Sequence, residues 1–179
     1  KHLDKDIVFK HVVGGLAKHN DEPMPKEQRE MIETIWYQIE KEVGTKFNHD
    51  FWKNCIPRRS TYLACEATML AREYKKEDKM IEAIQEAYYK NAQNPSDLDT
   101  LCKLASSIGI DENNFKTKLT NQNMDKKLHQ ELDFRRYLEV RVFPSLVLVH
   151  NNIKYPIKIH YNNYEKSLEQ INNITNEII

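Results

Sequence analysis

The chain has 179 residues, 27 Lys and Arg against 27 Asp and Glu, 40% apolar residues and three cysteines. A balanced charge offers no field to recruit nucleic acid or an anionic membrane surface, and no apolar run reaches the ~18 residues of a membrane span. The length suits one domain, or one domain carrying an insertion, with room for a buried core.

In chain order, Asp6 to Val13 reads as a strand ended by the Gly14-Gly15 turn, the only strand expected before residue 140. A long helical block follows. Pro25 at a first-turn position and Gly44 at an end bracket a helix with Met31, Ile32, Ile35, Trp36, Ile39 and Val43 on one stripe. Phe47 to Pro57 is a connector. Ser60 is placed to cap a helix carrying Leu63, Ala67, Leu70 and Tyr74, and Lys79 to Asn91 forms another with Ile81, Ile84, Ala87 and Tyr88. Ser96 is expected to accept from the first-turn amides of a helix whose buried face is Leu98, Leu101, Leu104, Ala105 and Ile108, closed by Gly109. A short helix over Asp111 to Leu119 and a longer one over Met124 to Leu138 complete the block.

The organising stretch is Val140-Arg141-Val142-Phe143-Pro144-Ser145-Leu146-Val147-Leu148-Val149. Its unbroken apolar run reads as a strand buried on both faces, and a proline, which cannot donate to a ladder, belongs at the mouth of such a strand. The Phe143-Pro144 isomer is left to the surrounding fold, since the trans preference of an X-Pro bond is only about 0.5–1 kcal/mol. His150-Asn151-Asn152 is a hairpin turn, because Asn tolerates positive φ, and Ile153 to Ile159 returns as an alternating edge strand that can hold Pro156. A last helix runs from Tyr164 to about Ile174 on Leu168, Ile171 and Ile174. A lone strand is not a sheet, so Ile7 to Val13 is expected to pair with Leu146 to Val149 or with a strand between them, making the helical block an insertion into one α/β layer.

Gly14-Gly15-Leu16, Pro57-Arg58-Arg59-Ser60-Thr61-Tyr62, Asn94-Pro95-Ser96-Asp97 and Phe143-Pro144-Ser145-Leu146-Val147, in this order, resemble the DsbA-like branch of the thioredoxin fold, the thiol-disulfide oxidoreductases and isomerases with a helical insertion. The resemblance implies an α/β thioredoxin-like fold, with residues 1–24 and 124–179 as the thioredoxin-like domain and 25–123 as the helical insertion. It makes Pro144 the cis-proline and Val142 and Phe143 the loop residues beside it, where an extended substrate is received as an added strand. Glu139, just before Val140, departs from the small residue or glycine that the family usually has there.

The resemblance also implies a strand, a Cys-x-x-Cys and a helix that are not among these residues. The cysteines are Cys55, Cys65 and Cys102, ten and thirty-seven residues apart, and none forms a Cys-x-x-Cys. The expectation is that the pair lies upstream, with Lys1-His2-Leu3 as the tail of its helix, and that no catalytic residue lies in this chain. Cys65 and Cys102 fall on helical stripes as inert thiols. Cys55, near Arg58 and Arg59, is the one whose surroundings can lower a thiol pKa. Three thiols suggest a reducing, cytoplasmic compartment rather than a disulfide framework. His11, His150 and His160 lie on or beside strands without metal-like spacing, and no metal is expected. Arg58 and Arg59 precede a helix and are expected to pair with carboxylates rather than hold an anion.

Three functions are open. The first is a protein thiol-disulfide oxidoreductase or isomerase acting on protein or peptide thiols and disulfides by dithiol exchange, with no cofactor, no nucleic acid and no membrane span. The second is a glutathione-dependent isomerase or transferase of the same fold. The third is a thioredoxin-like module that binds peptides beside Pro144 without chemistry.

Overall fold

The computed structural model describes residues 3, 6–18 and 20–176. Among them run α1 (Lys26–Val43), α2 (Asp50–Asn54), α3 (Tyr62–Glu73), α4 (Glu77–Tyr89), α5 (Leu98–Ser107), α6 (Glu112–Leu119), α7 (Gln122–Tyr137), β1 (Leu146–His150), β2 (Ile153–Ile157) and α8 (Tyr164–Asn176). The chain forms two compact units, Gly15–Gln130 and Lys1–Gly14 with Glu131–Ile179. The boundary falls within α7.

The larger unit is helical. Pro25, with φ of −54°, precedes the first turn of α1, and Gly44 ends it in the left-handed conformation with its amide on the Glu40 carbonyl. Of the expected α1 stripe, however, only Trp36 is buried, while Met31, Ile35, Ile39 and Val43 lie in solvent. Trp36 centres an aromatic cluster with Phe47, Phe51, Trp52, Tyr88 and Tyr89, their ring centroids 4.9–6.0 Å from its own. A second core forms where α3 packs on α4, α5 and α6. It buries Leu70, Met80, Leu101, Cys102, Ala105 and Phe115 completely or nearly so.

Polar side chains tie the connectors. Arg58 donates to the Ser96 carbonyl at 2.9 Å and to Asp97 Oδ1 at 2.8 Å, the expected pairing with a carboxylate. Ser60 Oγ accepts from the Tyr62 amide at 3.3 Å, but Thr61 holds the position before α3. Ser96 does not cap α5. Its hydroxyl accepts from the Arg58 amide, because the tight Asn94 turn aims it back at the connector, where Asn94 also holds the Ile56 carbonyl.

The smaller unit holds the sheet. β1 and β2 pair antiparallel in register Leu146 with Ile157 through His150 with Ile153. Asn151 and Asn152 make the two-residue turn, with φ of 49° and 63°. Pro156 sits opposite Val147, and α8 packs on β2, with Gln170 bridging the Lys158 amide and the Pro156 carbonyl. Two expectations fail here. Residues 6–13 form a turn and then irregular backbone that pairs with no strand among the described residues, and the Val13 amide donates instead to the Glu131 carboxylate at 3.0 Å. The expected pairing of Ile7 to Val13 with β1 is therefore absent. Nor is β1 buried on both faces. It is half-buried with Val149 exposed, since among the described residues the sheet has two strands and one helix packed on it. The helix tail expected at Lys1-His2-Leu3 lies outside the described residues at its first two positions.

Candidate substrate-binding loop

The site grows from the end of α7. Its last carbonyls are closed by the amides of Leu138 and Glu139, at 2.9 Å from Phe134 and Arg136 respectively. Glu139 adopts φ of 61°, the left-handed cap that glycine fills most easily. Lys154 on β2 compensates from across the turn, donating to the Tyr137 carbonyl at 2.9 Å and to Glu139 Oε1 at 2.5 Å, and lying 4.8 Å from the Tyr137 ring centre. The hydrogen bond and charge of Lys154 hold the Glu139 carboxyl below the usual carboxylate range. The helix end the sequence left open is thus a non-glycine cap clamped by a lysine.

Beyond the cap the chain turns through Val142, Phe143 and Pro144 into β1. The Phe143–Pro144 bond is cis. Ser145 Oγ donates to the Val142 carbonyl at 2.7 Å, which closes the loop on itself. Val142 is 71% exposed and Phe143 41%. Among the described residues the backbone edge of β1 that faces away from β2 pairs with no other strand.

Phe143 rests on two groups that the sequence reading did not assign to the site. A Cβ added to Gly14 would meet Phe143 Cε1 at 2.8 Å, so the ring lies where any side chain at residue 14 would go. Arg135 donates to the Gly14 carbonyl at 2.7 Å and its guanidinium lies 5.8 Å from the Phe143 ring centre. The Gly14-Gly15 pair advertised a turn, and the ring contact is a second reason for glycine there. Arg135 gave no signal, being one of several charged residues along α7 and 121 positions from its partner. Phe134 and Tyr137 stack nearby at 6.1 Å, with Lys10 over the Phe134 ring.

The thiols stand apart from this loop in the sequence and in chemistry. Cys55 donates to the Ala92 carbonyl at 3.1 Å, and burial, aided by Asp97, pushes its pKa up. The nearby Arg58 is committed to Asp97 and Ser96, and the thiol is raised rather than lowered. Cys102 is fully buried and also raised by burial, whereas Cys65 is partly exposed rather than buried. Among the described residues no three His, Cys, Asp or Glu side chains gather as a metal site. No helix among them is long and apolar enough to cross a membrane.

Solved structures share this fold. A putative protein disulfide isomerase from Nitrosomonas europaea superposes with a TM-score of 0.72 at 21% identity, over 88% of this chain and 78% of that one. The cytosolic disulfide reductase DsbM from Pseudomonas aeruginosa does so with 0.67 at 13% identity, over 85% and 79%, and its form with GSH with 0.64 at 14% identity, over 86% and 79%. The fold is therefore thioredoxin-like with a helical insertion, in the DsbA-like manner. The Thioredoxin_5 family model, described as thioredoxin, matches residues 2–170, and the chain belongs to this family. An uncharacterized protein of Bacillus subtilis, YwbO, is 29% identical over 102 residues, 57% of this chain. The chain spans about half the length of that curated relative, 50% of which is matched.

Proposed function

We propose that this chain is the body of a DsbA-like protein thiol-disulfide oxidoreductase or isomerase, with residues 1–24 and 124–179 as its thioredoxin-like domain and 25–123 as its insertion. The observation that carries the reading is the exposed Val142-Phe143-Pro144 loop at the head of β1, whose backbone beside Pro144 can receive an extended peptide as an added strand. The redox pair is a Cys-x-x-Cys that these 179 residues do not contain. Its thiolate attacks one sulfur of a substrate disulfide and releases the other as a thiol. The second cysteine then attacks the mixed disulfide, leaving the substrate reduced and the pair oxidised, and the reverse order oxidises a dithiol substrate. The role of this chain is to hold the substrate backbone beside that pair, with Val142 and Phe143 as its contacts.

Insulin reduction by dithiothreitol, with the full-length protein as catalyst, tests the reading. Turnover that disappears when the Cys-x-x-Cys is changed to Ser-x-x-Ser, and a raised KM with little change in kcat for Phe143→Ala, are the expected results. A full-length protein that has no Cys-x-x-Cys and gives no turnover would overturn it. Turnover that requires glutathione in place of a dithiol would move the assignment to the glutathione-dependent isomerases and transferases of this fold, the second reading opened by the sequence.

A further inference from the structure

The loop between α7 and β1 is anchored at both ends and nearly bare between them. Val140 closes the helix end with its amide on the Arg135 carbonyl at 3.3 Å, and Leu146 opens the ladder opposite Ile157. Over residues 141–145 a single hydrogen bond forms among the described residues, from Ser145 Oγ to the Val142 carbonyl at 2.7 Å. Bonding a carbonyl three residues back is a common local habit of serine, and at an exposed residue such as Val142 water would serve that carbonyl nearly as well. The bond is therefore close to neutral for stability. What it changes is direction.

Val142 and Phe143 are joined by a trans peptide. Such a unit is planar, and its C=O and N–H point in opposite directions. Whatever fixes the Val142 carbonyl therefore fixes the Phe143 N–H as well. That amide has no hydrogen-bond partner among the described residues, and Pro144 has no N–H to offer. The Phe143 amide is thus the unspent backbone donor beside Pro144. Its own side chain is held separately, with the ring against Gly14 and beside the Arg135 guanidinium. One residue is braced twice, at the ring by Gly14 and Arg135 and at the amide by Ser145.

We propose that Ser145 is a positioning residue for peptide substrates, its hydroxyl aiming the Phe143 N–H at a backbone carbonyl of the extended chain that docks beside Pro144. The inference rests on the oxidoreductase reading above and adds that the loop recognises the substrate's backbone. A disulfide that has no peptide backbone gains nothing from this aim.

Steady-state kinetics of the full-length protein test it with two substrates, insulin and hydroxyethyl disulfide, both reduced by dithiothreitol and corrected for the uncatalysed rate. Ser145→Ala should raise the KM for insulin about three- to tenfold with little change in kcat, and leave kcat/KM for hydroxyethyl disulfide as in wild type. Ser145→Thr and Ser145→Val share a shape and differ in the hydroxyl. The threonine variant should stay close to wild type with insulin and the valine variant should follow alanine. An unchanged insulin KM in Ser145→Ala, an equal loss with both substrates, or threonine and valine variants that behave alike would each overturn the role of Ser145 while leaving the oxidoreductase reading in place. A wild type that turns over neither substrate would remove that reading, and this inference with it.

Discussion

The ring of Phe143 occupies the space above the α-carbon of Gly14, with Cε1 2.8 Å from where a Cβ would stand. Arg135 completes the arrangement by holding the Gly14 carbonyl from beneath and lying beside the same ring. One glycine therefore sets the position of the aromatic residue before Pro144. Gly14→Ala should cost about 1 kcal/mol, because the half-exposed ring can swing aside rather than force the backbone to move. In a Phe143→Ala background the cost should disappear, since nothing is left to collide. Urea denaturation of the four proteins of this cycle measures the coupling, and additive changes would show that the two residues do not meet.

Arg135 is expected to be irreplaceable by lysine. Lysine cannot reach the carbonyl and lie along the ring in one planar fork, so Arg135→Lys should lose about 1–2 kcal/mol. The measurement is again a denaturant midpoint. A lysine variant as stable as wild type would mean that charge alone suffices at this position.

Glu139 caps α7 with a positive φ that costs an L-residue about 1–2 kcal/mol relative to glycine. Glu139→Gly and Glu139→Ala both lose the exposed contact with Lys154, and only glycine relieves the backbone. The glycine variant should therefore be more stable than the alanine variant by about 1 kcal/mol, read as a difference in thermal midpoint. Because Lys154 lowers the Glu139 carboxyl, that ion pair stabilises the fold above the unfolded carboxyl's pKa and its contribution is lost as pH falls through the lower folded value. The acid-side decline should be shallower in both variants than in wild type.

Trp36 touches six aromatic rings of the larger unit, those of Phe47, His49, Phe51, Trp52, Tyr88 and Tyr89. Removing it empties the centre of that cluster, so Trp36→Ala should destabilise the protein by about 3–5 kcal/mol. An exposed neighbour on the same helix, such as Tyr37→Ala, should cost far less by the same denaturation assay.

The same cluster predicts the alkaline limit of stability. Burial pushes the phenol of Tyr88 well above its ordinary value near 10, with Tyr89 adding to the effect, and burial raises Tyr89 as well. A raised folded pKa means that the unfolded chain gives up its proton first, so stability is intact below about pH 10 and falls as pH rises past it. Followed by phenolate absorbance, two of the nine tyrosines should ionise only as the protein unfolds. Smooth titration of all nine without loss of structure would contradict the burial seen here.

The helices other than α2, which formed over Asp50–Asn54 inside the stretch expected to be a connector, the Asn151-Asn152 hairpin and the loop before β1 were legible in the sequence because each is set by residues close together in the chain. Periodic apolar positions, the Gly44 cap and two adjacent asparagines state their geometry locally. The strand expected over Asp6 to Val13 had the same local credentials and did not form, because a strand needs a ladder partner and the described residues bring none to it. The exposed stripe of α1 failed for a related reason. Helical spacing marks which residues share a face, but not whether the fold places another element against it.

Sequence by itself determined most of the helices, the β1–β2 hairpin with its turn chemistry and the family resemblance of the Val142-Phe143-Pro144 loop, all of which rest on propensity and short-range pattern. Only the tertiary structure decided that Gly14 and Arg135 support that loop, that Lys154 clamps the Glu139 cap and that Arg58 is spent on Asp97. Those contacts join residues far apart in the chain, and their existence depends on where folding brings each donor to its acceptor, which no local pattern encodes.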